Sequence, residues 1–215
     1  MNETNVENNQ SSDSKKIITL VVLILTIMVC TTSATYAFFA FSASNSTTMT
    51  GTAAASGLTL AITQGTLKGT SSGTNTNVMV PQLESALGTA MGDKYKCVDG
   101  NGNIVCKVFQ IVVSTSSTAT VPTTGTITFT GASTNLKWKL VDSYTAVKSG
   151  ETAKAASSTA ATFATPTFTA STKSFTYYIV VWINETNAVQ SDSGTWKATI
   201  EFKNADGGIT STIKS

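Results

Sequence analysis

The sequence predicts an all-β protein, an antiparallel β-sandwich preceded by an N-terminal hydrophobic helix. Apolar and polar residues alternate with period two in several segments after Gly57, as in strands with one buried and one solvated face. The segment 175–183 is instead apolar on both faces after Thr176, as in a central strand covered on both sides. A basic pair followed by an apolar run near the N-terminus predicts the helix.

The N-terminal stretch has the layout of a secretory signal peptide. Lys15 and Lys16 directly precede the apolar run Ile17–Val29, whose length fits the ~7 to 15 residues of a signal-peptide core. Small residues further on predict cleavage between Ala37 and Phe38. Export of this kind implies the membrane and a signal peptidase as partners.

An uncleaved membrane anchor is the alternative. No charged residue occurs from 17 to 67, so residues 17–43 could stay in the bilayer as a spanning helix. In either case the lysines remain cytoplasmic and the rest of the chain lies outside. We divide the chain into a signal peptide or anchor at 1–37, a mature N-terminal segment or linker at 38–56, and a β-sandwich domain at 57–215.

Half-buried strands are predicted at three places. The clearest has apolar residues at every second position from Trp196 to Phe202, between Thr, Lys and Glu residues. Leu136–Leu140 repeats the pattern around Trp138, with Lys137 and Lys139 expected in water. Ile127 and Phe129, flanked by threonines, form the third.

Two further elements follow from local signals. Turn-forming residues between 184 and 194 predict that the strand 175–183 and the strand beginning at Trp196 are hairpin neighbours. The spacing of Leu83, Ala86, Leu87 and Ala90 predicts one short helix in 81–91.

A disulfide between Cys97 and Cys106 is predicted from the hairpin between them. Asn101-Gly102 is a strong signal for a two-residue type I′ turn, and centring the turn there pairs Val98 with Val105. The two cysteines then form a non-hydrogen-bonded pair with Cα atoms ~4.5 Å apart. That spacing suits a disulfide, which an exported protein can form.

Composition excludes most enzyme designs. All fourteen basic residues are Lys, so the chain has neither the commonest general base and metal ligand nor a bidentate cation for phosphate. The net charge is +2 and the lysines are spread along the chain, which argues against a nucleic-acid partner. We expect no enzyme activity, no cofactor and no metal.

Three binding or catalytic alternatives have weaker support. Asp99, Asn101 and Asn103 alternate like the first donors of a calcium loop, but the expected Gly and Glu do not follow, which favours a plain turn. Scattered carboxylates could form a glycosidase pair: Asp142, Glu151, Glu185, Asp192 and Glu201. Aromatic residues could form a glycan platform, although strand aromatics are more often core: Tyr177, Tyr178, Trp138, Trp182 and Trp196.

The region around the predicted cleavage site resembles a known family. Thr35-Tyr36-Ala37-Phe38-Phe39, a Ser/Thr stretch and then Gly57-Leu58-Thr59-Leu60-Ala61-Ile62 are similar to the start of the camelysin/TasA group of Gram-positive secreted proteins. The resemblance implies an ER-type signal peptidase, a jelly-roll sandwich with a first strand at Leu58–Thr63, and a role in cell-surface or biofilm-matrix fibres. It does not bring metalloprotease chemistry, because the chain has no His.

The segment Phe38-Phe39-Ala40-Phe41 predicts self-association. After cleavage it would be an apolar, strand-forming N-terminus, which is unfavourable unless it is paired. Phe38, Phe39 and Phe41 could fold back on their own sandwich or add to an open sheet edge of another copy. The sequence thus predicts a non-catalytic surface or matrix protein, released or tethered at the cell surface. A membrane-anchored adhesin or a glycan- or protein-binding module is the alternative.

Overall fold

Twelve strands and one short α-helix make up the part of the chain that the computed structural model describes: the backbone of 49–53, and residues 57–65, 79–92, 97–185 and 196–214. The helix is α1 (Leu87–Met91), preceded by a 3₁₀ turn at Glu84–Ala86. The strands are β1 (Met49–Ala53), β2 (Leu58–Gln64), β3 (Lys107–Thr115), β4 (Val121–Pro122), β5 (Thr124–Thr130), β6 (Leu136–Val141), β7 (Lys154–Ala155), β8 (Ala161–Ala164), β9 (Thr167–Phe168), β10 (Ser174–Ile183), β11 (Lys197–Asn204) and β12 (Gly207–Lys214).

The strands form two main antiparallel sheets. A six-stranded sheet has the order β1-β2-β3-β10-β6-β7, and a four-stranded sheet has the order β12-β11-β5-β8. The short strands β4 and β9 pair with each other. The predicted all-β antiparallel class is confirmed. Jelly-roll connectivity stays a prediction, and the predicted N-terminal hydrophobic helix lies outside the described residues.

The inward faces of the two sheets enclose the main core. Every second residue of each long strand points inward, so the alternation seen in the sequence becomes a continuous apolar layer. Trp196 lies near its centre, with its ring 6.3 Å from that of Phe109 and 5.9 Å from that of Phe129. The six-stranded sheet contributes Leu58, Leu60, Ile62, Phe109, Ile111, Val113, Leu136, Trp138, Ile179, Val181 and Ile183, and the four-stranded sheet contributes Ile127, Phe129, Phe163, Ala198, Ile200, Phe202, Ile209 and Ile213.

Strand β10 is central, as predicted, and its second half, Ile179–Ile183, is buried on both faces. Ile179, Val181 and Ile183 point into the sandwich, whereas Val180 and Trp182 belong to a second apolar cluster on the outer face of the six-stranded sheet. That cluster also contains α1 and the two cysteines of the hairpin 97–106, here called the cysteine hairpin, which contributes two further residues to the main core. These two elements therefore cover one part of the outer face.

The expected hairpin between the strand 175–183 and the strand beginning at Trp196 is wrong. Strand β10 pairs with β3 and β6 in the six-stranded sheet, whereas β11 pairs with β5 and β12 in the four-stranded sheet. The connection crosses from one sheet to the other. Turn-forming residues occur in both kinds of connection, so they identify a loop but not the strand to which it leads.

Three smaller predictions have mixed outcomes. A short helix in 81–91 is confirmed, with Leu87 buried and Leu83 half-exposed. The strand expected at Leu58–Thr63 is β2, but β1 precedes it and pairs with it, within the segment 38–56 that we interpreted as a linker. Lys139, expected in water, is buried because α1 and its 3₁₀ turn cover this part of the sheet.

Candidate functional site

The cysteine hairpin is closed by the predicted disulfide. The sulfur atoms of Cys97 and Cys106 are 2.02 Å apart and their Cα atoms 4.9 Å apart. Both residues are buried against α1 and the outer face of the six-stranded sheet. The disulfide therefore closes an element that covers the sheet.

The turn within this hairpin differs from the predicted two-residue type I′ turn. Val98 faces Ile104 instead of Val105, and Gly102 N–H donates to Asp99 O at 3.1 Å. The loop therefore has three residues and ends at Gly102, whose φ of +83° glycine adopts readily. The Asp99 carboxylate favours this shape, because its Oδ1 accepts hydrogen bonds from backbone N–H groups within the turn.

The shifted register places Val105 opposite Cys97. The two cysteines are bonded to each other but are therefore not directly opposite in the hairpin, contrary to the prediction from a two-residue turn. The Val105 N–H donates to the Cys97 carbonyl at 2.9 Å. Cys97 has a φ of +66°, which is uncommon for a residue other than glycine. In this left-handed conformation Cys97 bonds to Cys106, although Val105 is the residue opposite it in the hairpin.

The calcium alternative fits this turn poorly. Asp99 Oδ1 accepts hydrogen bonds from the Asn101 and Asn103 backbones at 2.8 and 2.9 Å, and Oδ2 accepts one from Asn103 Nδ2 at 3.0 Å. Both carboxylate oxygens are thus used within the turn. In the described part of the chain, no group of three or more His, Cys, Asp or Glu residues could hold a metal ion.

The carboxylates considered as a glycosidase pair lie in different surroundings. Asp142 and Glu185 are exposed, and Glu151 lies 3.5 Å from Lys154 Nζ in a local ion pair. Glu201 lies within β11 opposite Thr210 of β12 and Thr126 of β5. Asp192 lies outside the described residues.

Most of the aromatic residues considered as a glycan platform are core. Trp138, Trp182 and Trp196 have at most 1% of their surface exposed. Tyr177 points into the sandwich and stacks on Phe202, with ring centroids 6.1 Å apart. Tyr178, the next residue in β10, lies on the outer face of the six-stranded sheet and is partly exposed there.

Tyr178 is part of an uncharged surface that we call the tyrosine face. Alternation along β2, β3 and β10 places side chains at neighbouring positions beside the region that α1 covers. Tyr144, from the segment after β6, stands against Tyr178 with ring centroids 5.2 Å apart at 77°. The tyrosine face consists of Thr59, Ala61, Thr63, Gln110, Val112, Ser114, Ser174, Thr176, Tyr178 and Tyr144, all partly or fully exposed.

The two tyrosines are held by specific contacts. Gln110 Nε2 donates to the Tyr178 hydroxyl at 2.8 Å, and the Tyr144 hydroxyl donates to the Thr63 carbonyl at 3.2 Å. The Tyr144 ring also lies against Gly65, where an added Cβ would come within 2.5 Å of Cδ1. Burial, followed by the nearby Tyr178, raises the pKa of Tyr144, so its hydroxyl stays neutral at physiological pH.

Two buried lysines occupy opposite faces of the six-stranded sheet. On the outer face, Lys139 Nζ lies 2.8 Å from Glu84 Oε1 and 5.8 Å from the Trp182 ring centroid. On the inner face, Lys107 has 1% of its surface exposed, and its Nζ has no hydrogen-bond partner among the described residues. Burial lowers the pKa of Lys107 from 10.5 to about 8.

Sequence reasoning missed Lys107, although its position carried a signal. It begins β3 and has the same parity as Phe109, Ile111 and Val113, which places it on the inward face. A lysine at the end of a strand usually extends into solvent, so the pattern alone does not reveal that the end of this strand is covered.

The outermost strands of the four-stranded sheet differ in how well they are protected. At one edge, β12 has eight residues without proline, and Lys214 is its only charged residue. At the other edge, β8 has four residues, its pairing with β5 shifts register between Gly125 and Thr126, and Pro166 follows shortly after it. Short length, irregularity and proline protect an edge against further pairing, and β12 has none of these features.

The remaining predicted site residues lie outside the described residues. These are the cleavage residues Ala37 and Phe38 and the self-assembly residues Phe38, Phe39 and Phe41. In the part of the chain that is described, no helix has the length and apolar character needed to cross a bilayer.

No protein-family model matches the chain, and no curated protein matches it.

Proposed function

We propose that this chain is a non-catalytic exported protein of the cell surface or extracellular matrix, and that copies assemble by addition of the segment 38–41 to the edge of β12. The observation that carries the proposal is the unprotected edge of β12. Its outer side has no strand partner among the described residues. An exposed apolar segment at a mature N-terminus is unfavourable unless it pairs, and an open strand edge is a site where it can pair.

Several features of β12 favour it as the acceptor. Its inward residues Ile209, Ser211 and Ile213 are buried, which fixes the strand in register against β11. Its outer backbone groups can therefore receive another strand without rearrangement of the core. The strand also lies over β1 and β2 of the opposite sheet, so an added strand would lie beside the edge of that sheet.

The length of the chain between donor and sandwich is compatible with exchange between copies. The seven residues 42–48 separate Phe41 from β1 and span at most about 25 Å when extended. A donor from one copy that binds the edge of the next gives a head-to-tail contact. Such a contact extends into a fibre when the rotation between copies does not close a ring.

Export is supported by the disulfide, because structural disulfides persist in oxidising compartments and are rare in the cytosol. The resemblance to the camelysin/TasA group leads to the same proposal. N-terminal sequencing of the mature protein tests whether the signal peptide is cleaved. We expect a start at Phe38, whereas a start at Met1 would favour the membrane-anchored alternative.

Electron microscopy of the mature chain tests assembly directly. We expect fibres from the intact chain and monomers after deletion of residues 38–41, because the deletion removes the donor but no described strand. Monomers of the intact chain under all conditions would remove the fibre proposal.

Cysteine cross-linking tests the acceptor strand. The pairs Phe39→Cys with Thr210→Cys and Phe39→Cys with Thr212→Cys should give a ladder of covalent multimers under oxidising conditions. The matched control Thr199→Cys lies on β11, between β5 and β12, and should give no ladder. Cross-linked monomers in place of a ladder would show that the segment folds back on its own sandwich.

A further inference from the structure

We infer that the tyrosine face binds a neutral, hydroxyl-rich polysaccharide. This is a binding site beyond the proposed assembly function, and it lies on a different sheet from the β12 edge. The inference rests on the juxtaposition of Tyr144 and Tyr178 with hydroxyl and amide side chains on an uncharged part of the outer face.

The charge of the face selects the class of ligand. None of its ten residues is a Lys, Asp or Glu, although the outer side of the four-stranded sheet carries Lys197, Glu201 and Lys203 on a single strand. An anionic or cationic polymer would gain nothing from an uncharged surface and would lose hydration on binding. A neutral polymer loses no charge solvation there.

The side chains of the face match the two surfaces of a sugar ring. Aromatic rings offer an apolar face to the C–H groups of a sugar, and tyrosine adds a polar hydroxyl at its edge. Gln110 lies between Thr63 and Tyr178 in the pairing of the strands, and Thr176 is the next residue before Tyr178 on the same face of β10. Each can exchange hydrogen bonds with sugar hydroxyls.

The face is built to hold its shape before a ligand arrives. The bonds from Gln110 to Tyr178 and from Tyr144 to Thr63, with the close approach of Tyr144 to Gly65, fix both rings. Fixed rings lose little conformational entropy when a ligand binds. With strands about 4.8 Å apart and successive outward residues about 7 Å apart, the face measures about 10 Å across its three strands and about 14 Å along them, which is enough for a short oligosaccharide.

Affinity electrophoresis of the full mature chain tests the inference. The gels contain hydroxyethyl cellulose, galactomannan or glycol chitin acetylated to neutrality, with polygalacturonate as the anionic comparison. We expect at least one neutral polymer to retard the protein and polygalacturonate to leave its mobility unchanged. Tyr144→Ala should weaken the retardation about tenfold, and Tyr178→Phe should weaken it by a smaller factor.

Tyr177→Phe is the matched control, because the same hydroxyl is removed from the adjacent residue on the inward face. It should bind like the unchanged chain. Thermal unfolding of each variant separates lost binding from lost folding. Equal retardation of all variants, or retardation by the anionic polymer alone, would overturn the inference. Retardation by none of the polymers would also overturn it and would leave the face to a protein partner or a segment of this chain. Fibre formation does not depend on any of these outcomes, so the two proposals fail separately.

Discussion

The two faces of the six-stranded sheet meet very different surroundings. The inner face packs against the four-stranded sheet in a mainly apolar core, with Lys107 and Thr115 at the two ends of β3 as buried polar residues. The outer face is divided: α1 and the cysteine hairpin cover one part, and the other part is the uncharged tyrosine face. Four predictions test this contrast.

The largest effect is expected where the outer face is covered. Trp182→Ala should lower the free energy of unfolding by about 3 to 5 kcal/mol, because the fully buried indole would leave a cavity under α1. Thr176→Ala, on the same face of the same strand but exposed, should cost less than about 1 kcal/mol. Urea unfolding of both variants measures the difference, and equal losses would show that α1 does not protect this part of the sheet.

The next effect concerns Lys107, the buried lysine of the inner face. The pKa of Lys107 is about 8 in the folded chain and 10.5 in the unfolded chain, so the unfolded state binds more protons between these values. Stability should rise by about 3 kcal/mol from pH 8 to pH 10.5 through this residue.

Lys107→Met isolates this contribution. The variant should be more stable than the original chain at pH 7 and should lose that part of the pH dependence, as measured by unfolding at several pH values. Lys197→Met, a change of the same type at an exposed residue, should alter neither property. A pH profile that Lys107→Met leaves unchanged would contradict the prediction.

The disulfide should matter slightly less. The double variant Cys97→Ala/Cys106→Ala should lose about 2 to 3 kcal/mol, because the small closed loop no longer restricts the unfolded chain. Unfolding of the unchanged chain with and without reductant measures the same quantity, and the reduced chain should match the variant. A fully reduced protein with an unaltered free energy of unfolding would mean that the hairpin stays packed on the sheet without the disulfide.

The smallest effect is expected at the ion pair that joins the cover to the sheet. Glu84→Ala leaves Lys139 buried without its partner and should cost about 1 kcal/mol, a value limited by the 40% exposure of the Glu84 side chain. Glu151→Ala removes the more open pair with Lys154 and should cost less than about 0.5 kcal/mol. Equal losses of stability in the two variants would show that burial of Lys139 does not strengthen its ion pair with Glu84.

Local patterns were sufficient to predict several elements. Alternation from Trp196 to Phe202 predicted a half-buried strand, and β11 has that burial. The doubly apolar segment 175–183 predicted a central strand, and β10 is one. The two cysteines around an Asn-Gly sequence predicted the disulfide correctly, although the two-residue turn and the register used for that prediction were wrong. Each of these properties depends on residues close together in sequence or on one strand.

Predictions that depended on a distant partner failed. Nothing in the turn-forming residue types after β10 indicates that the chain crosses to the other sheet. Lys139 follows the polar half of an alternating pattern, but a helix about fifty residues earlier in the chain covers it. For the candidate site, Tyr177 and Tyr178 are equivalent by composition, and only the packing of both sheets determines which of them faces outward.

Burial of the disulfide under α1 has a consequence for the kinetics of its cleavage. Cys106 has no exposed surface and Cys97 has 3%, so a small thiol reaches neither sulfur while the hairpin is seated. Reduction then requires a local unfolding event in which the hairpin separates from the sheet while the rest of the domain stays folded. At high reductant concentration the rate of reduction should level off at the opening rate. The limiting rate of reduction would then measure how often the hairpin opens.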